Sequence, residues 1–254
     1  MPNRPRILFG DHRTQMPAID RLIDRARFDV SFAGFEDADF TAFDLVVPLR
    51  VDQIDPARRA NADGRRRAVL PSAELVEACD DKLLFHERLV ELGFEDLLPE
   101  LLPDPPGHYP YVRKALRGDF GQGIRVVRGP GEDEPPIPGS FLQRAVEGAE
   151  EYVLHLLRVD GRVRYQLCYR YDMGEPLAVR GEAAAPKSIV PADPEPAYDR
   201  CVAILDALGF EGTCCFNYKL EEGAIRIIEL NPRFGGSLVG DVTEYIAAHL
   251  EALG

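Results

Sequence analysis

Tryptophan is absent from the 254-residue sequence, and lysine is scarce, with four residues beside 26 arginines. No apolar stretch approaches the roughly 18–20 residues that a membrane-spanning helix needs. The first apolar run, at residues 7–9, is followed by Gly10 and Asp11 and is too short for the core of a signal peptide. These absences predict a cytoplasmic protein with no membrane partner.

Closely spaced cysteine pairs are missing as well. The five cysteines contain no Cys-x-x-Cys spacing, which excludes the common zinc and redox motifs. Cys214 and Cys215 are adjacent, and adjacent residues of a strand point to opposite faces of a sheet. We therefore expect reduced cysteines that serve packing.

Positive charge is in the minority, since 30 Lys and Arg face 43 Asp and Glu and leave a formal net charge of −13. Such a surface repels nucleic acid and anionic membranes, which excludes nucleic acid as a partner. The three arginines at residues 65–67 are interpreted as a solvated turn. Any anionic ligand needs a locally basic site.

The order of apolar patterns predicts an α/β chain. In the first 80 residues, strand and helix patterns alternate and predict a small parallel sheet. After the proline-rich stretch at residues 99–110, strands joined by glycine turns predict antiparallel hairpins, two of them with turns at Asp160-Gly161 and Glu222-Gly223. The expected strands cover residues 6–10, 30–33, 45–48, 68–70, 111–116, 124–127, 141–145, 151–159, 162–170, 213–220 and 225–230. One helix is expected to begin at Ser72, and further helices are expected over residues 80–92, 196–208 and 242–253.

A glycine-rich loop with nearby cations lies at residues 113–123. Glycines allow backbone N–H groups to approach phosphate oxygens, and Lys114 adds a positive charge beside them. The alternative is a flexible hairpin turn without a ligand. The sequence contains neither a GxGxxG pattern before a helix nor a GxxxxGK[ST] pattern, which excludes a dinucleotide-binding fold and a P-loop.

A second candidate site lies on the last strand, where Glu229 and Asn231 are two residues apart and face the same side. A carboxylate and an amide oxygen that project together suit Mg²⁺, a hard cation that prefers oxygen ligands. Arg233 follows two residues later. The alternative is a hydrogen-bonded pair at a sheet edge.

From residue 80 to the C-terminus, the sequence resembles the ATP-grasp superfamily, especially its carbamoyl-phosphate-synthase-like branch. The matching segments follow the order of that family, at residues 81–82, 111–114, 118–123, 141–152, 216–217 and 229–233. The resemblance implies an ATP-grasp fold, α/β with an α+β C-terminal part. It also implies three units: a small N-terminal parallel α/β (pre-ATP-grasp) domain at 1–80, a small ATP-grasp subdomain with the glycine loop at 81–142, and a large subdomain at 143–254.

The resemblance also implies a role for each matching residue. Lysines would contact ATP phosphates, the loop glycines would cover the triphosphate, the segment after residue 142 would hold adenine, and Glu150 would hold ribose. The implied nucleotide-binding residues are Lys82, Lys114, Gly121, Gln122, Gly123, Gln143, Arg144, Val146 and Glu150. The implied Mg²⁺ ligands are Glu229, Asn231 and Asn217. Arg233 and Lys114 are the implied catalytic residues.

Two residues depart from the family pattern. Asn217 stands where many members carry an acid, and it offers an oxygen without a negative charge. Gln143 stands where many members carry glutamate. The first departure weakens the expectation of a second metal ion.

The activity implied by the resemblance is that of an ATP-dependent carboxylate–amine ligase with ATP and Mg²⁺ as cofactors. A small-molecule or peptide carboxylate would be activated as an acylphosphate and joined to an amine-type nucleophile. A homodimer is one of the oligomeric states that the sequence allows. Two alternatives are a phosphotransferase that leaves phosphate on its product and a non-catalytic nucleotide-binding subunit.

Substrate-binding candidates come from the rule that ligands collect beyond the C-terminal ends of parallel strands. This rule nominates Asp11, His12, Arg13 and Arg50. Lys187, in the loop at residues 182–194, is a candidate for closing over the bound nucleotide. Lys219 and His249 are interpreted as surface and partner-helix positions, so that Lys219→Ala is expected to be nearly silent.

Overall fold

The computed structural model describes residues 4–118, 121–181 and 184–254, and the chain opens with a parallel sheet. Its elements are β1 (Arg6–Gly10), α1 (Gln15–Leu22), β2 (Asp29–Ala33) and β3 (Leu45–Val47). The strand order is β2-β1-β3. The expected strand at residues 68–70 is wrong, because these residues stay outside the sheet. Nearby, Val46 N–H donates to the Arg67 carbonyl at 2.8 Å.

Three helices follow: α2 (Ile54–Ala57), α3 (Ala73–Asp80) and α4 (Lys82–Glu91). Ser72 caps α3 as expected, with Oγ accepting from Leu75 N–H at 3.2 Å. The helix expected over residues 80–92 forms as α4, with Asp81 at its N-cap. The backbone of Asp81 is extended, and its carboxylate accepts from the N–H groups of Leu83 and Leu84, both at 3.1 Å. An aspartate is more favourable at a cap than inside a helix.

The second sheet is antiparallel. Its strands are β4 (Leu101–Leu102), β5 (Tyr111–Ala115), β6 (Ile124–Val127) and β7 (Ser140–Arg144). Their order is β4-β7-β5-β6. This four-stranded sheet therefore places the end of β5, which carries Lys114, beside the glycine loop that leads into β6.

The third sheet is the largest and is also antiparallel, in the order β10-β9-β8-β11-β12. Its strands are β8 (Glu150–Val159), β9 (Arg162–Asp172), β10 (Ser188–Pro191), β11 (Gly212–Glu221) and β12 (Ala224–Asn231). Helix α5 (Tyr198–Leu208) lies between β10 and β11 in the chain. Both expected two-residue turns form. Asp160 and Glu222 adopt positive φ angles of 53° and 51°, each followed by a glycine with positive φ, as a tight hairpin turn requires.

Two apolar cores cover the two faces of the five-stranded sheet. Helices α3 to α5 pack on one face, around Phe85, Leu205 and Phe216. The N-terminal sheet and the last helix, α6 (Val242–Leu253), pack on the other face around Phe9 and Tyr245. The N-terminal residues are thereby joined to the large sheet by a continuous core.

The interpretation of residues 65–67 as a solvated turn is wrong for Arg67. Arg67 is buried, and its guanidinium forms an ion pair with Asp63 at 2.6 Å. His249, on the apolar face of α6, is also buried, and its Nδ1 lies 3.1 Å from the Tyr245 hydroxyl. In both cases a polar group with a partner has been buried by tertiary packing.

The remaining sequence predictions concern cysteines, membranes and domains. All five cysteines are buried thiols, as expected. No helix of residues 4–118, 121–181 and 184–254 combines the length and apolarity needed to cross a membrane. The division of the chain after residues 80 and 142 stays a prediction.

Candidate functional site

A large cavity is lined by residues of both antiparallel sheets. It encloses about 1310 Å³, including its open mouth. The residues of the predicted site that line it are Lys82, Lys114, Gly121, Gln143, Arg144, Val146, Asn217, Glu229, Asn231 and Arg233. Gln122, Gly123 and Glu150 are not in this lining. Residues from six predicted segments therefore meet in one cavity.

Lys114 is buried on β5 with 6% of its surface exposed, and its Nζ donates to Gln143 Oε1 at 2.7 Å. The amide nitrogen of Gln143 donates in turn to the Pro99 carbonyl at 3.1 Å and lies 3.3 Å from His86 Nδ1. Burial, with the nearby Lys82 cation, lowers the pKa of Lys114 to about 8 against the attraction of Glu229. Among the described residues, Lys114 thus has an amide partner and no carboxylate in hydrogen-bond contact.

The glycine loop approaches the cavity from the end of β5. Lys82 Nζ donates to the Gly118 carbonyl at 2.5 Å. Gly121 has a φ of +74°, and a Cβ there would lie 2.8 Å from the Arg180 carbonyl, so glycine is required at this close approach. The expected loop at 118–123 is described except for Asp119 and Phe120, which lie outside the described residues.

The candidate metal ligands form a hydrogen-bonded cluster. Asn217 lies directly opposite Glu229 in the β11–β12 ladder. The amide nitrogens of Asn217 and Asn231 both donate to Glu229 Oε1, at 2.8 and 2.9 Å. Arg233 donates to Asn231 Oδ1 at 3.4 Å. The geometry thus brings the three predicted ligands and the predicted catalytic arginine together.

The donor set fits Mg²⁺ bound together with a phosphate. Asn217 Oδ1 is buried without a hydrogen-bond partner among the described residues, and it is an oxygen ligand of the type that Mg²⁺ accepts. Glu229 supplies the single carboxylate of the cluster, and the described part of the chain contains no group of three acidic, His or Cys residues. The remaining negative charge would come from phosphate oxygens, as is usual for Mg²⁺ in nucleotide sites.

Strand β8 contributes residues that the sequence prediction missed. Glu151, Val153 and His155 alternate along the strand and line the cavity. Glu151 is buried and accepts from Arg180 Nε at 2.8 Å. The predicted ribose ligand Glu150 faces the other way and pairs with Arg170 at 3.1 Å. The alternation of residues along β8 could have identified this set, but only if the face of the strand that lines the cavity had been known.

Lys219 corrects another interpretation, because it lines the cavity and is only 5% exposed. Its Nζ donates to the carbonyls of Val146, Gly148 and Pro176 at 3.3, 2.9 and 3.1 Å. Burial lowers the pKa of Lys219. Because Lys219 lies on β11, its hydrogen bonds to Val146 and Gly148 connect the segment between β7 and β8 to the large sheet.

We therefore expect Lys219→Met to destabilise the protein by about 1–3 kcal/mol, because it leaves three partly buried carbonyls without a charged donor. Urea unfolding monitored by circular dichroism measures this change. Arg162→Met removes a positive charge from an exposed position and serves as the control. Equal stability of the two variants would contradict the expectation.

The charges in the cavity are mostly positive although the chain is acidic. The cationic lining residues are Lys82, Lys114, Arg144, Arg180, Lys219 and Arg233, and the acids of the described lining are Glu151 and Glu229. Arg144 is neutralised by Glu221 through two hydrogen bonds of 2.7 Å. The cavity is therefore the locally basic site that an anionic ligand needs.

The residues predicted to bind the substrate lie outside the described lining of the cavity. Asp11, His12, Arg13 and Arg50 are not in the described lining, whereas Gln15, which follows them on α1, is. Arg50 pairs with Asp11 and Asp52 at 3.2 and 2.9 Å. Lys187 packs its side chain against Gly174. Its role in closure stays a prediction, and Glu182 of that loop lies outside the described residues.

Comparison with known proteins gave matches in structure alone. No protein-family profile and no curated protein sequence matches the chain. The VanG D-Ala:D-Ser ligase from Enterococcus faecalis is similar with a TM-score of 0.66 and 16% identity, over 99% of this chain and 98% of that one. A Bacillus anthracis D-alanine–D-alanine ligase complexed with ATP is similar with a TM-score of 0.62 and 12% identity, over 99% of this chain and 97% of that one.

A Rhizobium etli pyruvate carboxylase is also similar, with a TM-score of 0.65 and 14% identity over 99% of this chain. The chain spans 29% of the length of that protein. These matches, together with the two antiparallel sheets that enclose the cavity, show that the chain has the ATP-grasp fold.

Proposed function

We propose that the chain is an ATP-dependent ligase that activates a carboxylate as an acylphosphate and joins it to an amine. The observation that carries the proposal is that Lys114 and Glu229, from different sheets, line one cavity. A cation on one wall and oxygen ligands on the other suit a triphosphate with its metal ion. The similar ligase complexed with ATP supports the choice of nucleotide.

In this proposal the nucleotide lies along the cavity between the two sheets. The main chain from Arg144 to Val146 borders the cavity and would hold adenine, with Gln143 beside it. Lys82 and Lys114 would contact the phosphates, and the glycine loop would cover them. Glu229, Asn231 and Asn217 would hold Mg²⁺, which supplies charge neutralisation between the phosphates when it is bound.

The reaction needs no covalent bond to the protein. A substrate carboxylate oxygen attacks the γ-phosphorus while the bond to the ADP oxygen breaks. The amine then attacks the carbonyl carbon of the acylphosphate, inorganic phosphate leaves, and the amine loses a proton. Lys114 and Arg233 would stabilise the negative charge that spreads over the transferred phosphoryl oxygens.

The experiment incubates the protein with ATP, Mg²⁺, pools of carboxylic acids and hydroxylamine, which captures acylphosphates as hydroxamates. We expect ADP, inorganic phosphate and a hydroxamate in the pool that contains the substrate. Glu229→Gln removes the charge of the cluster at constant shape and should abolish all three products. Gln166→Glu changes an exposed residue of β9 and should leave them unchanged.

Other outcomes separate the alternatives. A phosphorylated acceptor without free phosphate would replace the ligase with a phosphotransferase. Tight ATP binding without ADP in any pool would favour a non-catalytic nucleotide-binding subunit. Absence of ATP binding by calorimetry would contradict the whole proposal.

A further inference from the structure

One end of the cavity is built by three polar side chains from separate parts of the chain. Gln15 comes from α1, His155 from β8, and Ser237 from the segment between β12 and α6, and all three line the cavity. Gln15 lies beside Gly236, and the His155 ring packs against Gly235. We call Gln15, His155 and Ser237 the Gln15 subsite.

The order of residues along β11 places this subsite relative to the nucleotide. Lys219, Asn217 and Cys215 alternate and line the cavity, and alternate residues of a strand are roughly 7 Å apart. Lys219 contacts the Val146 carbonyl at the proposed adenine end, and Asn217 belongs to the metal cluster. Cys215 pairs with His155 in the ladder. The Gln15 subsite therefore lies beyond the metal cluster, at the end remote from the base.

Two buried polar atoms of the subsite have no partner among the described residues. Gln15 Oε1 and His155 Nδ1 are both unpaired, and their residues are 6% and 0% exposed. His155 Nε2 is satisfied by Ser237 Oγ at 2.7 Å. An unsatisfied buried polar atom costs about 1–3 kcal/mol, so a ligand that provides both hydrogen bonds is favoured here.

The charges around the subsite disfavour an ammonium group. Burial, with the fields of Arg233 and Arg180, lowers the pKa of His155 to about 3, so the ring is neutral at pH 7. The two acids of the described lining are already engaged, because Glu151 pairs with Arg180 and Glu229 accepts from two amides. An ammonium placed here would meet cations and, within the described part of the lining, no free carboxylate.

We infer that the Gln15 subsite binds an uncharged hydroxyl or carboxamide on the carboxylate substrate, and that it selects against substrates with an ammonium at that position. A hydroxyl or carboxamide donates to Gln15 Oε1 and forms the second hydrogen bond with His155 Nδ1. This inference rests on the proposed function, since it names the class of acid that the ligase activates.

The test measures binding of matched acids by calorimetry in the presence of Mg²⁺ and a non-hydrolysable ATP analogue. The probes are lactate, alanine and propionate, with 3-hydroxypropionate and β-alanine as the longer pair. We expect the hydroxy acid to bind at least tenfold more tightly than the amino acid of the same length in at least one pair. Propionate should bind more weakly than lactate if the shorter pair is the one that shows the preference.

Gln15→Glu supplies the missing carboxylate and should reverse the preference, so that the amino acid binds more tightly. Gln15→Leu should remove the difference between the hydroxy acid and its unsubstituted counterpart. Gln166→Glu is the matched control on an exposed strand position and should change neither affinity. Circular dichroism confirms that each variant is folded.

Three results would overturn the inference: equal or tighter binding of the amino acids by the wild type, an unchanged preference in Gln15→Glu, or no measurable binding of any probe. The ATP analogue is titrated separately in the same samples. If the analogue binds and the probes behave in any of these ways, the inference fails and the proposed function stands. If the analogue does not bind, the proposed function itself fails.

Discussion

Lys114→Met is expected to lower kcat/KM for ATP by a factor of about 10²–10³, the loss typical of removing one preorganised group that stabilises charge in a transition state. Methionine resembles lysine in length, so the buried stem keeps its packing. The variant loses the cation that faces Glu229 across the cavity, while Gln143 Oε1 loses its 2.7 Å donor. Steady-state ADP formation measures the effect.

Arg162→Met, on the exposed start of β9, should keep the wild-type rate and controls for loss of one positive charge. Thermal unfolding of Lys114→Met separates loss of function from loss of the fold. A rate within about threefold of the wild type would show that Lys114 does not contact the phosphates.

The same lysine predicts a pH dependence. Burial and the neighbouring Lys82 lower the pKa of Lys114 to about 8. The cation is therefore present below pH 8 and is lost as the pH rises through that value. Because kcat/KM reports the free enzyme, it should fall above pH 8 in the wild type. In Lys114→Met this particular decline should be absent.

Acid is expected to destabilise the protein by about 3 kcal/mol between pH 6.5 and pH 5. Burial lowers the pKa values of His155 and His249 to about 3, whereas an unfolded histidine has a pKa of about 6.5. The unfolded chain therefore binds two more protons below pH 6.5. Their stabilising contribution is present above pH 6.5 and decreases by about 1.4 kcal/mol per pH unit for each histidine as the pH falls.

Urea unfolding at several pH values tests this expectation. His249→Gln removes one titrating group and should reduce the slope of stability against pH, even if the variant is less stable at pH 7. His108, for which the structure shows an exposed position, provides His108→Gln as a control with an unchanged slope. A flat profile between pH 6.5 and 5 in the wild type would contradict the burial of both histidines.

Local patterns in the sequence predicted local structure well. Asp160-Gly161 and Glu222-Gly223 were placed in hairpin turns, because a two-residue turn needs positive φ angles that these residues tolerate. The opposition of Asn217 and Glu229 depended on the register of such a hairpin, and only the structure resolves it.

Tertiary burial accounts for the misassigned residues. Lys219 lies two residues after Asn217 on β11 and so shares its face, which was a usable signal. Its three carbonyl partners come from segments distant in sequence. Glu150 and Glu151 differ by one position, and one position reverses the face of a strand. Gln15 had no recognisable motif and is identified as a cavity residue by the packing of α1 alone.

The single carboxylate in the Asn217–Glu229–Asn231 cluster has a thermodynamic consequence. In the proposed function, one negative charge gives the cluster little affinity of its own for a divalent ion, and the triphosphate would contribute most of the attraction. Each of the two ligands would then strengthen the binding of the other by the same factor. We therefore expect this cavity to retain the metal only together with the nucleotide.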